Sequence, residues 1–343
     1  MSRSPDIRIV VDAMGGDKAP EHIVEGAVDA FRESSGRFTL VLVGQEERVR
    51  AVMNKLAVPS GERWAEGFLV VDAPEVIEMD EPPNTALKAK RKSSIAVGLT
   101  LQKEGKADAF LSAGNTGAVL SASTLILGRL KGVARPTIGA LFPTAGSPCF
   151  VTDAGANVDC KPRHLYEFGV MGSLYVSSLV GKKNPSIGLL SVGEEATKGN
   201  EVTLAAGELF RRSSLNFVGN VEGRDILSGR IDVVVCDGFV GNILLKFGES
   251  VPGFLKSRLK QYAESGFLKK IRLGMAQGGL RQVMRNLDYQ EHGGVPLLGV
   301  NGVSIIGHGG STPKAIKNMI YRAEEMVRWK LNLKIEEAMG EAV

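Results

Sequence analysis

Six short stretches of this chain combine glycine with polar or charged residues, a composition suited to holding an anion with backbone groups. They are DAMGGD (Asp12 to Asp17), SAGNTGA (Ser112 to Ala118), DAGAN (Asp153 to Asn157), SVGEEATKGNE (Ser191 to Glu201), CDGFVGN (Cys236 to Asn242) and GHGGST (Gly307 to Thr312). Glycine admits positive φ and close approach of the backbone, and a helix N-terminus following such a turn presents unpaired N–H groups to an anion. Lys198, between Thr197 and Gly199, can meet a phosphate as a point charge. The same position suits an ordinary solvated lysine, and residue types alone leave both readings open. The Asn242 amide suits donation to an oxyanion or phosphate better than the competing reading of a simple helix cap. Ser112, Asn115 and Thr116, with Gly15 and Gly16, are further cradle groups, and Gly114, Gly199, Asn200 and Gly238 belong to the same turns. Asp12, Asp17 and Asp237 would repel a phosphate dianion, so they fit orienting Lys198, binding N–H groups or capping helices. His308 fits donation to phosphate or to a leaving group, and equally a hydrogen-bonded structural histidine.

Several common chemistries find no support in the sequence. It contains no G-x-G-x-x-G, no G-x-x-x-x-G-K-[ST], no H-E-x-x-H and no G-x-S-x-G. His22, His164, His292 and His308 are far apart, and we expect neither a metal nor a cofactor. Cys149, Cys160 and Cys236 are too scattered for a disulfide framework or a CxxC site and fit small core residues in a reducing compartment. A formal charge of +4 over 343 residues gives no reason to expect nucleic-acid binding. The opening MSRSPDIRIVVD lacks the apolar run of a signal peptide and no apolar run reaches membrane-spanning length, so a cytoplasmic chain is expected.

These clusters need elements to position them, and the hydrophobic patterning supplies candidates. β-branched runs at Ile7 to Val11, Phe38 to Val43, Phe68 to Val71, Ala107 to Leu111, Thr137 to Phe142, Cys149 to Val151, Ile187 to Leu190, Val233 to Val235 and Val303 to Ile306 read as strands. Helical patterns lie between them at Pro20 to Ser34, Asn84 to Glu104, Thr116 to Arg129, Pro162 to Leu179, Lys198 to Arg212 and Pro313 to Leu331. Pro162 and Pro313 fall where a first helical residue belongs. Such alternation predicts a single large α/β domain over 1–343 with a mostly parallel sheet. Each cluster follows a strand, so an all-parallel arrangement would gather all six along one sheet edge.

The motifs DAMGGDKAP, SAGNTGA, DAGAN, SVGEEATKGNE, DVVVCDGFVGN, LLGVNG and GHGGS, in this order, resemble the phosphate acyltransferase family of fatty acid and phospholipid synthesis, often called PlsX. The likeness runs from about Ile7 to Trp329. DAGAN departs from a segment more often written DVGAN, a small apolar exchange. The resemblance implies a three-layer α/β/α sandwich akin to isocitrate and isopropylmalate dehydrogenases, usually as a homodimer. It also implies transfer of a fatty acyl group from acyl carrier protein to inorganic phosphate, with Lys198 as the catalytic cation. Two other readings compete: a decarboxylating dehydrogenase of related fold, and a non-catalytic acyl-carrier or lipid-binding protein.

One segment stands apart, a helical hairpin at about 248–292. Between Phe254 and Arg285 eight cations face one carboxylate, Glu264, so this stretch carries +7 while the rest of the chain is net acidic. Leu255, Leu259 and Tyr262, then Phe267, Ile271 and Met275, then Leu280, Val283 and Leu287, follow helical spacing. Ser265-Gly266 and Gly278-Gly279 are the expected breaks. Apolar rows near its base suit dimer packing. The tip combines Phe267, Leu268 and Ile271 with Lys269, Lys270 and Arg272, a pattern that fits reversible contact with an anionic membrane or with acidic acyl carrier protein. Membrane contact would bring the product to a membrane glycerol-phosphate acyltransferase.

Overall fold

The computed structural model describes residues 7–56, 67–285 and 293–341. His292, Leu287 and the end of the expected hairpin, 286–292, lie outside them. The strands are β1 (Arg8–Asp12), β2 (Thr39–Gly44), β3 (Phe68–Asp72), β4 (Ala109–Ser112), β5 (Thr137–Phe142), β6 (Cys149–Thr152), β7 (Ile187–Leu190), β8 (Phe217–Val221), β9 (Val233–Val235), β10 (Val295–Leu298) and β11 (Val303–Ile306). The helices are α1 (Glu21–Ser34), α2 (Glu46–Lys55), α3 (Pro83–Ala89), α4 (Ser94–Lys103), α5 (Thr116–Ala122), α6 (Pro162–Val180), α7 (Glu201–Arg211), α8 (Gly238–Glu264), α9 (Phe267–Arg285), α10 (Pro313–Arg328) and α11 (Leu331–Glu341).

The strands form one eleven-stranded sheet in the order β3-β2-β1-β4-β11-β10-β5-β6-β9-β7-β8. Neighbouring side chains along a strand point to opposite faces, and both faces are covered. Ile9 and Val11 enter one core with residues of α1, α6 and α10, whereas Val10 enters another with residues of α4 and α5. Two cores on opposite faces of one sheet make the three-layer α/β/α sandwich. Each fully buried valine or isoleucine there contributes about 1.5–3 kcal/mol.

Strand polarity differs from an all-parallel sheet, and the difference determines where the six clusters lie. β10 runs antiparallel to both β11 and β5, and β5 runs antiparallel to β6. The strands β1 to β4 and β11 therefore point one way, while β6, β9, β7 and β8 point the other. DAMGGD, SAGNTGA and GHGGST emerge at one edge, and DAGAN, SVGEEATKGNE and CDGFVGN at the opposite edge. A single shared edge for all six is thus corrected to two groups of three.

Local differences have local causes. The expected helix from Asn84 to Glu104 is two helices, because Ser93 caps α4 by accepting from Ala96 N at 3.4 Å and Lys90 turns in to Glu81 and the Val76 carbonyl. The pattern from Thr116 onward is α-helical only to Ala122 and continues as a π turn over Ser123–Leu127. The helix expected from Lys198 starts at Glu201, since Asn200 accepts from Thr203 N at 2.9 Å and Gly199 sits at φ +125. The hairpin begins at Gly238 rather than near 248 and turns at Ser265-Gly266. α9 passes through Gly278 and Gly279 without a break, at about 1 kcal/mol of propensity each.

Candidate active site

At the first sheet edge one buried carboxylate locks two glycine clusters together, and backbone bonds to Gly309 and from Gly307 hold the third. Ser112 Oγ donates to Asp12 Oδ2 at 2.6 Å, Met14 N donates to Oδ1 at 3.0 Å, and Gly114 N donates to Ser112 Oγ at 3.0 Å. Burial pushes the Asp12 carboxyl up from its ordinary value, opposed by hydrogen bonds from Ser112, Ser94, Met14 and Gly15. A methyl group on Gly15 would lie 2.6 Å from Gly114 N and 2.7 Å from Asp12 Oδ2, so only glycine allows these turns to meet. Gly16 sits at φ +116, and the next amide, Asp17 N, donates to the Gly309 carbonyl at 2.8 Å. The Asn115 amide is already engaged. Its Nδ2 donates to the carbonyls of Glu78, Met79 and Glu81, and its Oδ1 caps α5 through Ala118 N at 3.0 Å. His308 Nδ1 accepts from Gly310 N at 3.0 Å, which fixes the ring over the turn.

The opposite edge has its own organising carboxylate. Asp153 Oδ1 accepts from Gly155, Ala156 and Ile138 N–H at 3.1, 2.9 and 3.3 Å, and Oδ2 accepts from Asn157 N and Nδ2 at 2.7 and 2.8 Å. Burial pushes this carboxyl up too, against those donors. The folded loop brings Gly155 against the Asn242 side chain, where an added Cβ would stand 3.3 Å from Asn242 Oδ1. Asp237 caps α8 by accepting from Val240 N at 2.8 Å, and Gly238 N donates to the Asn157 carbonyl at 2.7 Å.

Helix α8 joins the two groups. It starts beside Asn157 and runs across β5, with Gly248 reaching Phe142. Between α8 and α5, above Ile138 and Ala140, lies a cavity of about 190 Å³ lined by Thr116, Gly155, Asn242, Lys246, Glu249 and His308. Thr116, Asn242 and His308 are thus brought together from both edges. Lys246 and Glu249 were not singled out from sequence. They lie four and seven residues beyond Asn242 and so share its helix face, a spacing that held the signal.

Lys198 does not line this cavity. It stands in the loop that follows β7, on the same edge as the Asp153 and Asp237 loops, exposed, with its carbonyl accepting from Ser191 Oγ and Asn220 Nδ2 at 3.1 Å. The cysteines are chemically quiet. Burial pushes the Cys149 and Cys160 thiols up to about 12 and Cys236 well above its ordinary value, so all three stay protonated at neutral pH.

Solved structures share this architecture. A phosphotransacetylase from Streptococcus pyogenes superposes with a TM-score of 0.60 at 17% identity, covering 95% of this chain and 94% of that one. A 4-hydroxythreonine-4-phosphate dehydrogenase from Klebsiella pneumoniae gives 0.52 at 15% identity, covering 94% and 98%. At such identities the likeness is one of fold. Sequence comparison goes further. The "Phosphate acyltransferase" of Pelotomaculum thermopropionicum is 49% identical over 95% of this chain and 93% of its own length, and that of Chlorobaculum parvum is 47% identical over 96% and 98%. The chain is an acyltransferase. Residues 7–334 match the family described as "Fatty acid synthesis protein", and the chain belongs to that family.

Proposed function

We propose that this acyltransferase moves a fatty acyl group from acyl carrier protein to inorganic phosphate, forming an acyl phosphate for phospholipid synthesis. The observation that carries the reading is the cavity lined together by Thr116, Asn242, His308 and Lys246, with Glu249 beside Lys246. Phosphate titrates near neutral pH and serves as its own nucleophile, so such a site needs donors and orientation more than an activated side chain. A phosphate oxygen adds to the thioester carbonyl carbon, and Asn242 donates to the oxyanion. The C–S bond then breaks, and the proton carried by phosphate ends on the departing thiol, with His308 as its relay. Lys246 supplies positive charge at the cavity, and Lys198 supplies it from the loop that follows β7. Acyl phosphate release from acyl carrier protein thioester plus phosphate tests the reading, and no product at saturating phosphate would refute it. Thermal stabilisation by a nicotinamide dinucleotide with a divalent metal would instead favour the dehydrogenase reading.

The hairpin supports the proposed homodimer and membrane contact. Phe239, Ile243, Phe247 and Phe254 leave an exposed apolar face along α8. At the turn Phe267 and Leu268 are 78% and 68% exposed, beside Lys269, Lys270 and Arg272. Among the described residues no helix is long and apolar enough to cross a membrane, so contact would be peripheral. Flotation of a Phe267→Ser, Leu268→Ser, Ile271→Ser variant with anionic vesicles tests the tip. Unchanged binding would refute it, and lost activity with lipid binding intact would place acyl carrier protein there.

A further inference from the structure

Two further cavities lie next to the candidate active site, along α5 and the π turn that follows it. The first, about 320 Å³, is walled by Leu120, Thr124 and Leu125 on one side and by Pro136, Ala156 and Asn157 on the other. Its Ala156 adjoins Gly155 of the active-site cavity, and its Leu120 lies one helical turn beyond Thr116. The second, about 550 Å³, is lined by Leu87, Ala96, Ala122, Leu125 and Ile126, a size and lining within the usual range for small-molecule sites. Leu125 borders both cavities and is 74% exposed, an apolar partition between two apolar spaces. It sits on the π turn of Ser123–Leu127, a departure from α-helical geometry that occurs often at functional sites. At 1.5 Å per residue, α5 alone carries the row about 9 Å from Thr116 to Ala122, and the π turn extends it to Ile126.

Charge surrounds the row. Lys88 and Arg91 line the second cavity and Arg129 and Arg135 the first, and Lys92 is exposed next to Arg91. Lys90, between them in sequence, is taken by Glu81. The charged residues lining both cavities are all cations, and an apolar groove so lined fits a ligand that is an aliphatic chain presented by an acidic body.

We infer that the two cavities along α5 hold the acyl chain of the donor, and that Lys88, Arg91 and Lys92 dock the acidic carrier protein presenting it. The inference rests on the acyl-transfer reading and adds to it where the donor lies. The chain enters past the basic rim and lies along Leu120 and Leu125 on the way to the thioester position beside Thr116. Leu125 is a specificity residue for chain length. Two variants test this, both at exposed positions: Leu125→Asp, and Lys88→Glu with Arg91→Glu and Lys92→Glu. With hexadecanoyl and butanoyl thioesters of an acidic carrier protein, Leu125→Asp lowers the long-to-short ratio of kcat/KM at least tenfold. The charge variant raises carrier KM at least tenfold at low ionic strength and flattens its salt dependence. Calorimetric binding of the hexadecanoyl carrier protein, read without turnover, falls in both variants. A wild-type protein that binds this donor but makes no acyl phosphate overturns the transfer reading and leaves the groove standing. Wild-type turnover with selectivity and binding retained in both variants overturns the groove. A change of molecular mass in Leu125→Asp would show the face to be an interface between copies of the chain, and would overturn it as well.

Discussion

Asp153→Asn should damage this protein more than its small change in shape suggests, and the structure gives the size. Every group around the carboxylate is a donor, namely three backbone N–H groups at Oδ1 and the backbone and side-chain N–H groups of Asn157 at Oδ2. An amide in either orientation turns its NH₂ against at least two of them. Each buried donor left unpaired costs about 1–3 kcal/mol, so the loss is about 2–6 kcal/mol. The loop it releases carries Gly155 against Asn242, and the Asp153 carbonyl abuts Gly241, where an added Cβ would lie 1.8 Å away, so turnover falls with stability. Asp12→Asn is the matched control. Its Oδ2 faces the Ser112 hydroxyl, which can rotate to accept from the new amide, so its cost is the smaller. Denaturant unfolding and acyl phosphate release measure both. Asp153→Asn within about 1 kcal/mol of wild type and fully active would refute the reasoning, as would a costlier Asp12→Asn.

Lys198→Ala lowers turnover by roughly 100-fold or more while unfolding normally, the scale of a lost charge-stabilising group. Near wild-type rates at saturating phosphate would remove Lys198 from catalysis. Lys246→Ala raises the KM for phosphate more than it lowers kcat, and steady-state kinetics with phosphate varied decide it. Replacing Cys149, Cys160 and Cys236 together by Ala leaves turnover largely intact in the folded protein, because burial pushes Cys149 and Cys160 up to about 12 and Cys236 well above its ordinary value, so none forms a nucleophile at neutral pH. Trapping an acylated cysteine would refute this. Burial raises the Asp232 carboxyl, but Lys182 and Ser186, each at 2.6 Å, outweigh it and leave the group below its usual 3.8. Its contribution is therefore present above that value and lost as pH falls through the lowered one. Asp232→Asn costs about 1–2 kcal/mol at pH 7, moderated by the half-exposed Lys182, and shows a weaker acid dependence in thermal unfolding.

Much of the sheet was legible because strands buried on both faces read as unbroken apolar runs. TLVLVG of β2 and VVV of β9 are buried throughout. The strands that escaped notice lack that signature. β10 is VPLL, four residues with a proline, which ordinarily argues against a strand interior. β8 carries Gly219 at φ +101 where its register with β7 shifts. The site was legible wherever backbone chemistry demanded particular residue types, as at Gly15 beneath Gly114 or Asn200 at the start of α7. Lys246 was legible only through its four-residue spacing from Asn242, and its place at the site follows once that helix is seen to cross β5.

The two four-residue or six-residue strands β10 and β5 determine the site. In a sheet of uniform polarity the Asp12 and Asp153 turns would lie along one edge, with four strands between them, and each would face the same solvent. Because β10 and β5 run antiparallel to their neighbours, the sheet changes direction in its middle and the two sets of turns emerge at opposite edges. Only an element running along a strand can then connect them. Asn242 and Lys246, one turn apart at the start of α8, make that connection, meeting Gly155 from one edge and Thr116 and His308 from the other. The cavity therefore lies over the polarity switch at β5, where the two halves contribute different chemistry: hydroxyl and imidazole from the first, amide and ammonium from the second.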